Sequence, residues 1–167
     1  MSVTIRLATQ EDAQVITHIH TSSWEVAYKD IIPEKYIKKK TPHEMWKRVL
    51  SEENSIHHII LYENTPAGIL TFGQPMHENP GIDDSYWELH GIYLHPDYYH
   101  QGIGTKALEF AMEKAREAGK KNMLLWVFEE NLNAIKFYKK CGFSPDGVRK
   151  VYNCGKDIEC IRMRRSL

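Results

Sequence analysis

No apolar run in this 167-residue chain approaches the ~18 residues that a membrane-spanning helix needs. The opening residues, Met-Ser-Val-Thr-Ile-Arg-Leu-Ala-Thr-Gln, hold no long apolar core of the kind a secretory leader carries. Cysteine is scarce and odd in number: Cys141, Cys154 and Cys160 show no Cys-x-x-Cys spacing, which argues against a disulfide framework. An excess of one charge is also missing, because 22 Lys and Arg balance 22 Asp and Glu. That excludes the basic surplus usual in a nucleic-acid binder. Repeats, low-complexity segments and linkers are absent as well. The expectation is one domain over 1–167, cytoplasmic and reduced, with no nucleic-acid or membrane partner. No metal site is expected, since His18-Ile19-His20 and His57-His58 lack further ligands at informative spacing.

What is present is an ordered alternation of elements. Strands are predicted over 4–7, 57–62, 67–72, 86–94, 122–128, 148–152 and 158–163. Glu63-Asn64-Thr65-Pro66 is read as a hairpin turn, and Asn153-Cys154-Gly155-Lys156 as the centre of a closing hairpin. Thr9 with Asp12 reads as a capping-box-like start for a helix ending near Tyr28, with Ala13, Ile16, Ile19 and Ser23 on one face. Further helices are predicted over 34–39, 42–50, 102–118 and 131–140. Met45, Trp46 and Val49 share a face of the third, and Leu108, Ala111, Met112 and Ala115 form the buried stripe of the fourth. Together they give an α+β domain with a mixed sheet.

Residues 87–143 carry the chemistry. The turn Tyr99-His100-Gln101-Gly102-Ile103-Gly104 follows a strand and opens a helix. Two glycines allow close approach of a ligand, and a helix N-terminus offers free N–H groups to phosphate. Gly102-x-Gly104-x-x-Ala107 also fits a dinucleotide fingerprint, but an antiparallel hairpin precedes it and too little chain follows for a doubly wound domain. A Gly-x-x-x-x-Gly-Lys-Ser/Thr loop is absent. Trp24 and Tyr28 lie one helical turn apart, as core residues or as the lining of a pocket. Glu78, Asp83 and Asp84 give the long loop before the fourth strand an acidic face. Alternation places Glu88, His90, Ile92 and Leu94 on one face of that strand.

Three segments together resemble the GNAT superfamily of acyl-CoA-dependent N-acetyltransferases: Glu88-Leu89-His90-Gly91-Ile92-Tyr93-Leu94, Gln101-Gly102-Ile103-Gly104-Thr105-Lys106-Ala107-Leu108, and the run from Asn131 through Phe137-Tyr138 to Gly142-Phe143. The family's turn begins with Arg or Gln where this chain has Tyr99, leaving His100 and Gln101 as substitute donors. The resemblance implies a GNAT-like, mostly antiparallel central sheet flanked by helices, with strands four and five splayed to admit the cofactor. It implies acetyl-CoA as co-substrate, bound by Ile92, Tyr93, Leu94, His100, Gln101, Gly102, Ile103, Gly104, Thr105, Asn131, Asn133 and Tyr138. Glu88 or His90, directly or through water, is the expected base, and Tyr138 the expected acid toward the leaving thiolate. None of the three cysteines is placed by sequence as a covalent carrier. The partner is a small-molecule or peptide amine, and relatives often form homodimers. The alternative is a non-catalytic acyl-CoA-binding or sensing module.

Overall fold

A computed structural model describes residues 2–39, 43–76 and 79–167. Pro42, expected to open the third helix, and Glu78, expected in the acidic loop, lie outside the described residues. The strands are β1 (Val3–Leu7), β2 (His57–Tyr62), β3 (Thr65–Gly73), β4 (Tyr86–Leu94), β5 (Asn122–Phe128), β6 (Ser144–Asn153) and β7 (Asp157–Ser166). They form a single sheet in the order β1-β2-β3-β4-β5-β7-β6. Every neighbouring pair is antiparallel except β4 with β5. A parallel pair needs a crossover, and α4 (Ile103–Glu117) supplies it. The remaining helices are α1 (Ala13–Ala27), α2 (Glu34–Lys39), α3 (His43–Leu50) and α5 (Leu132–Lys140).

Each face of the sheet is covered by its own core. On one, Ala107, Leu108, Ala111 and Met112 of α4 pack on Leu89, Met123, Leu125 and Val127, with α5 contributing Ile135 and Phe137 at the margin. On the other, Ile16 and Ile19 of α1 meet Trp46, Leu50, Ile59 and Ile69. Trp24 packs with Ile31, Ile37, Cys154 and Ile158 further along. Continuous apolarity in β5 follows from its position between these layers. The histidine pairs join this packing: His20 stacks on Trp24 at 4.9 Å and His58 on Phe72 at 4.8 Å. Among the described residues no three His, Cys, Asp or Glu converge as metal ligands, and no helix is long and apolar enough to cross a membrane.

Two of the departures from the predicted bounds have local reasons. The β2–β3 turn is only Glu63-Asn64, both at positive φ (48° and 66°), so Thr65 and Pro66 belong to β3. Pro66 pairs with Leu61 at a register shift, where a missing N–H is tolerated. β6 begins four residues earlier than predicted because an irregularity between Pro145 and Arg149 lets the strand resume pairing with β7.

The feature that matters most is a bulge in β4. Thr71 pairs with Gly91 and Phe72 with Leu89, leaving His90 without a partner on β3. An extra residue reverses the alternation of side chains. Trp87 and Leu89 before it, and Ile92 and Leu94 after it, all pack with the α4 core. Glu88 and Tyr93 point to the α1 face. The single face expected for Glu88, His90, Ile92 and Leu94 is therefore corrected: the bulge separates the carboxylate from the two aliphatic residues. Beyond the bulge the parallel pairing stops. β4 and β5 pair from Tyr86↔Asn122 to Leu89↔Leu125, after which β4 follows β3 and β5 follows β7.

Candidate functional site

The separation of β4 from β5 opens a cleft of about 1060 Å³ that passes through the sheet from the α4–α5 side to the α1 side. Backbone geometry sets its inner edge. His95 donates its N–H to the Ala67 carbonyl at 2.8 Å. In an antiparallel ladder alternate residues face the same neighbour, so Tyr93 and Gly91 also address β3. Ile92 and Leu94 then turn their N–H and C=O groups into the gap, where β5 no longer meets them. Both residues line the cleft. Tyr93 lines it through its ring, which lies close over Gly91 and leaves no room there for a Cβ.

At one end of the cleft is the start of α4. Gly102 caps the helix in the left-handed region at φ 76°, and His100 is held at φ 59°. Lys106 makes the first return bond, to Gly102 O at 3.2 Å, so the N–H groups of Ile103, Gly104 and Thr105 have no earlier helical turn to bond. His100, Gly102, Ile103, Gly104 and Thr105 all line the cleft. Gln101 does not: its amide donates to Asp97 O at 3.0 Å, bracing the preceding turn instead. Two lysines of α5, Lys136 and Lys140, line this part of the cavity and bring the positive charge that Tyr99 lacks. Sequence reasoning missed them because their address depends on how α5 lies against α4.

Asn131 accepts a hydrogen bond from Ala134 N at 3.3 Å as the N-cap of α5, and with Asn133 it faces the cavity. Two turns on from Asn131, Tyr138 lies against Phe137 and Phe143, with ring centroids 5.2 and 6.0 Å away. Burial, reinforced by Tyr93, pushes its phenol well above the usual tyrosine range. Such a group keeps its proton at neutral pH and can donate a hydrogen bond to negative charge developing on a leaving sulfur.

Glu88 and His90 stand on the far wall. Glu88 is 6% exposed and accepts a hydrogen bond from Met76 N at 2.8 Å. His90 Nδ1 lies 3.6 Å from its carboxylate. Among the described residues neither ring nitrogen of His90 has a hydrogen-bond partner, although the side chain is buried. A carboxylate beside an unsatisfied imidazole on a cavity wall can accept a proton from a bound group. Trp24 and Tyr28 of α1 and Trp126 and Phe128 of β5 complete this end. Asp83 and Asp84 are exposed and do not line it. Cys160 does, contrary to its unremarkable sequence position, and burial raises its thiol to about 11. At neutral pH that thiol is protonated and a poor nucleophile.

Free first-turn N–H groups, unpaired strand edges and a cavity continuous between them fit the nucleotide, the extended arm and the thioester of an acyl-CoA. Fold and cleft thus describe an acyl-transfer protein with a split sheet. Residues 14–143 match the acetyltransferase (GNAT) family. The N-acetyltransferase YuaI of Bacillus subtilis (strain 168), itself uncharacterized, is 31% identical over 152 residues, covering 87% of this chain and 82% of that protein. The spermidine N(1)-acetyltransferase of Thermoplasma acidophilum is 25% identical over 151 residues, or 87% and 91% of the two chains. The PaiA N-acetyltransferase of Thermoplasma acidophilum, solved in complex with coenzyme A, superposes with a TM-score of 0.78 at 24% identity over the whole of both chains. The chain belongs to the acetyltransferase (GNAT) family. It is an N-acetyltransferase, a class whose co-substrate is acetyl-CoA.

Proposed function

We propose that this chain, acting as one domain, moves the acetyl group of acetyl-CoA directly to a primary amine, with Glu88 and His90 as the base and Tyr138 as the acid. When bound, acetyl-CoA supplies an activated acyl thioester. The N–H groups of Ile103, Gly104 and Thr105, with His100, Lys136 and Lys140, hold its phosphates. Ile92 and Leu94 give backbone partners to the extended arm, and Asn131 and Asn133 flank it. An alkylamine with a pKa near ~10.4 is almost wholly protonated at neutral pH and must lose a proton before it can attack. The Glu88–His90 pair takes that proton, directly or through one water. The Ile92 N–H faces the gap where negative charge develops on the acyl oxygen. Tyr138 returns a proton to the sulfur.

One observation carries this reading: the gap beyond Leu89 and Leu125 has a helix start with unbonded N–H groups at one end and a buried carboxylate–imidazole pair at the other. The pair also favours catalysis over a sensing module, since binding alone needs no base. The thiols of Cys141 and Cys160, which form no disulfide, support a reducing, cytoplasmic setting. The test is thiol release from acetyl-CoA against a panel of amines, with pH–rate profiles of Glu88→Gln and His90→Gln. At least one substitution is expected to lower kcat/KM by ~10²- to 10⁴-fold and to move the ascending limb. Unaltered profiles for both remove the pair from the mechanism.

A further inference from the structure

Building on that activity, we propose that the acceptor is a small primary amine bearing a carboxylate, an amino acid or close relative, whose anionic end is held by Lys150. The sheet register gives Lys150 its position. Phe128 of β5 pairs with Cys160 of β7, and Cys160 with Lys150 of β6, so the three stand in one row. Alternation puts that row on the face that carries Glu88, whose partner on β5 is Leu124. The Lys150 side chain leans back along the sheet toward Glu88. Its Nζ sits 4.2 Å above the Trp126 ring, two residues nearer the Glu88 row than Phe128. Lys150, Trp126 and Glu88 all line the cleft.

The charge inventory gives the sign of the missing partner. Arg162, beside Trp126, is 2% exposed, but Asp146 accepts from its Nε at 2.7 Å and matches its charge. Lys150 has no carboxylate within ion-pair distance among the described residues. Burial pulls its ammonium below the ordinary lysine range, and Glu88 pulls the other way. An ammonium held on an aromatic wall, partly out of water, gains from an incoming anion because Coulomb attraction strengthens as the local dielectric falls. Glu88 is the one carboxylate on the cleft wall among the described residues. A carboxylate-bearing amine placed there sets its nitrogen at Glu88 and His90 and its anion at Lys150. A polyamine, cationic at every nitrogen, meets an ammonium where it needs a carboxylate.

The test is a thiol-release assay with acetyl-CoA and matched acceptors: amino acids of increasing chain length, the corresponding amides, simple alkylamines and spermidine. Carboxylates are expected to exceed their amides in kcat/KM by tenfold or more, with spermidine below both. Lys150→Met should erase the acid-over-amide ratio, Lys150→Glu should invert it toward spermidine, and Lys150→Arg should retain it. Equal rates for acids and amides, or spermidine as the best acceptor, overturn the assignment and leave acetyl transfer intact. Thiol release with none of the amines removes the activity itself.

Discussion

Tyr138 shows how one buried hydroxyl is tuned by its surroundings. Burial, with Tyr93 and Cys141 nearby, holds its pKa above the ~10 of a free phenol. A raised acid pKa means that the protonated, donating form persists through the whole neutral range and is lost only far into alkali. Loss of the Tyr138 proton should therefore cause no fall in the pH–rate profile of the native protein below about pH 10. Tyr138→Phe should lower kcat by roughly 10- to 10⁴-fold while calorimetry finds coenzyme A still bound. Full turnover in that variant would exclude Tyr138 as the acid. A second residue-scale case is Asp146, which is 4% exposed in its side chain and 2.7 Å from Arg162. Removing one member of a buried pair strands the other charge. Asp146→Ala should cost about 3–5 kcal/mol in urea unfolding. A loss under 1 kcal/mol would show that Arg162 is not dependent on it.

Among the elements, the start of α4 separates folding from binding. Gly104 has an ordinary helical φ, and a Cβ there would meet Phe137 Cζ at 3.5 Å, a normal contact. Neither conformation nor packing demands glycine there. Gly104→Ala should hold or raise thermal stability, by up to about 1 kcal/mol on helix propensity. It should also weaken coenzyme A binding in calorimetry. Unchanged affinity would move the phosphate site elsewhere. α5 divides its work differently. Asn131 serves both as cap and as cleft wall, and Arg165 donates from Nη1 to Cys141 O at 2.6 Å at the other end, tying the helix to β7. The element that offers Tyr138 is thus pinned at both termini.

At the scale of the molecule, the cleft is where the sheet is least self-satisfied, so occupancy should stabilise the whole domain. Coenzyme A at a hundredfold excess over its Kd adds about 2.7 kcal/mol. For a chain of this size that corresponds to a rise in Tm of roughly 5–11 °C, measurable by calorimetry. No shift would argue that the cavity does not take the ligand. Much of this architecture was legible from local pattern. The bounds of β2, β4 and β5 follow from their apolar runs, and the α4 stripe from its 3.6-residue spacing. Asn131, Gly102 and Gly104 stood out because caps and close turns need particular residue types. What local pattern could not reveal is whatever depends on register. A bulge at His90 leaves no mark in spacing, yet it decides which way Glu88 faces. Lys150, Lys136 and Cys160 enter the cavity only because distant strands and a helix bring them there. Gln101 reads as a ligand until its own turn claims its amide.

The unpaired His90 has a consequence for how such a protein can change. Because one inserted residue uncouples the two halves of β4, the side that selects the incoming nucleophile can drift without disturbing the grip on the nucleotide. New specificities should therefore be reachable by altering the outer strands and α1 alone, leaving the glycine turn untouched.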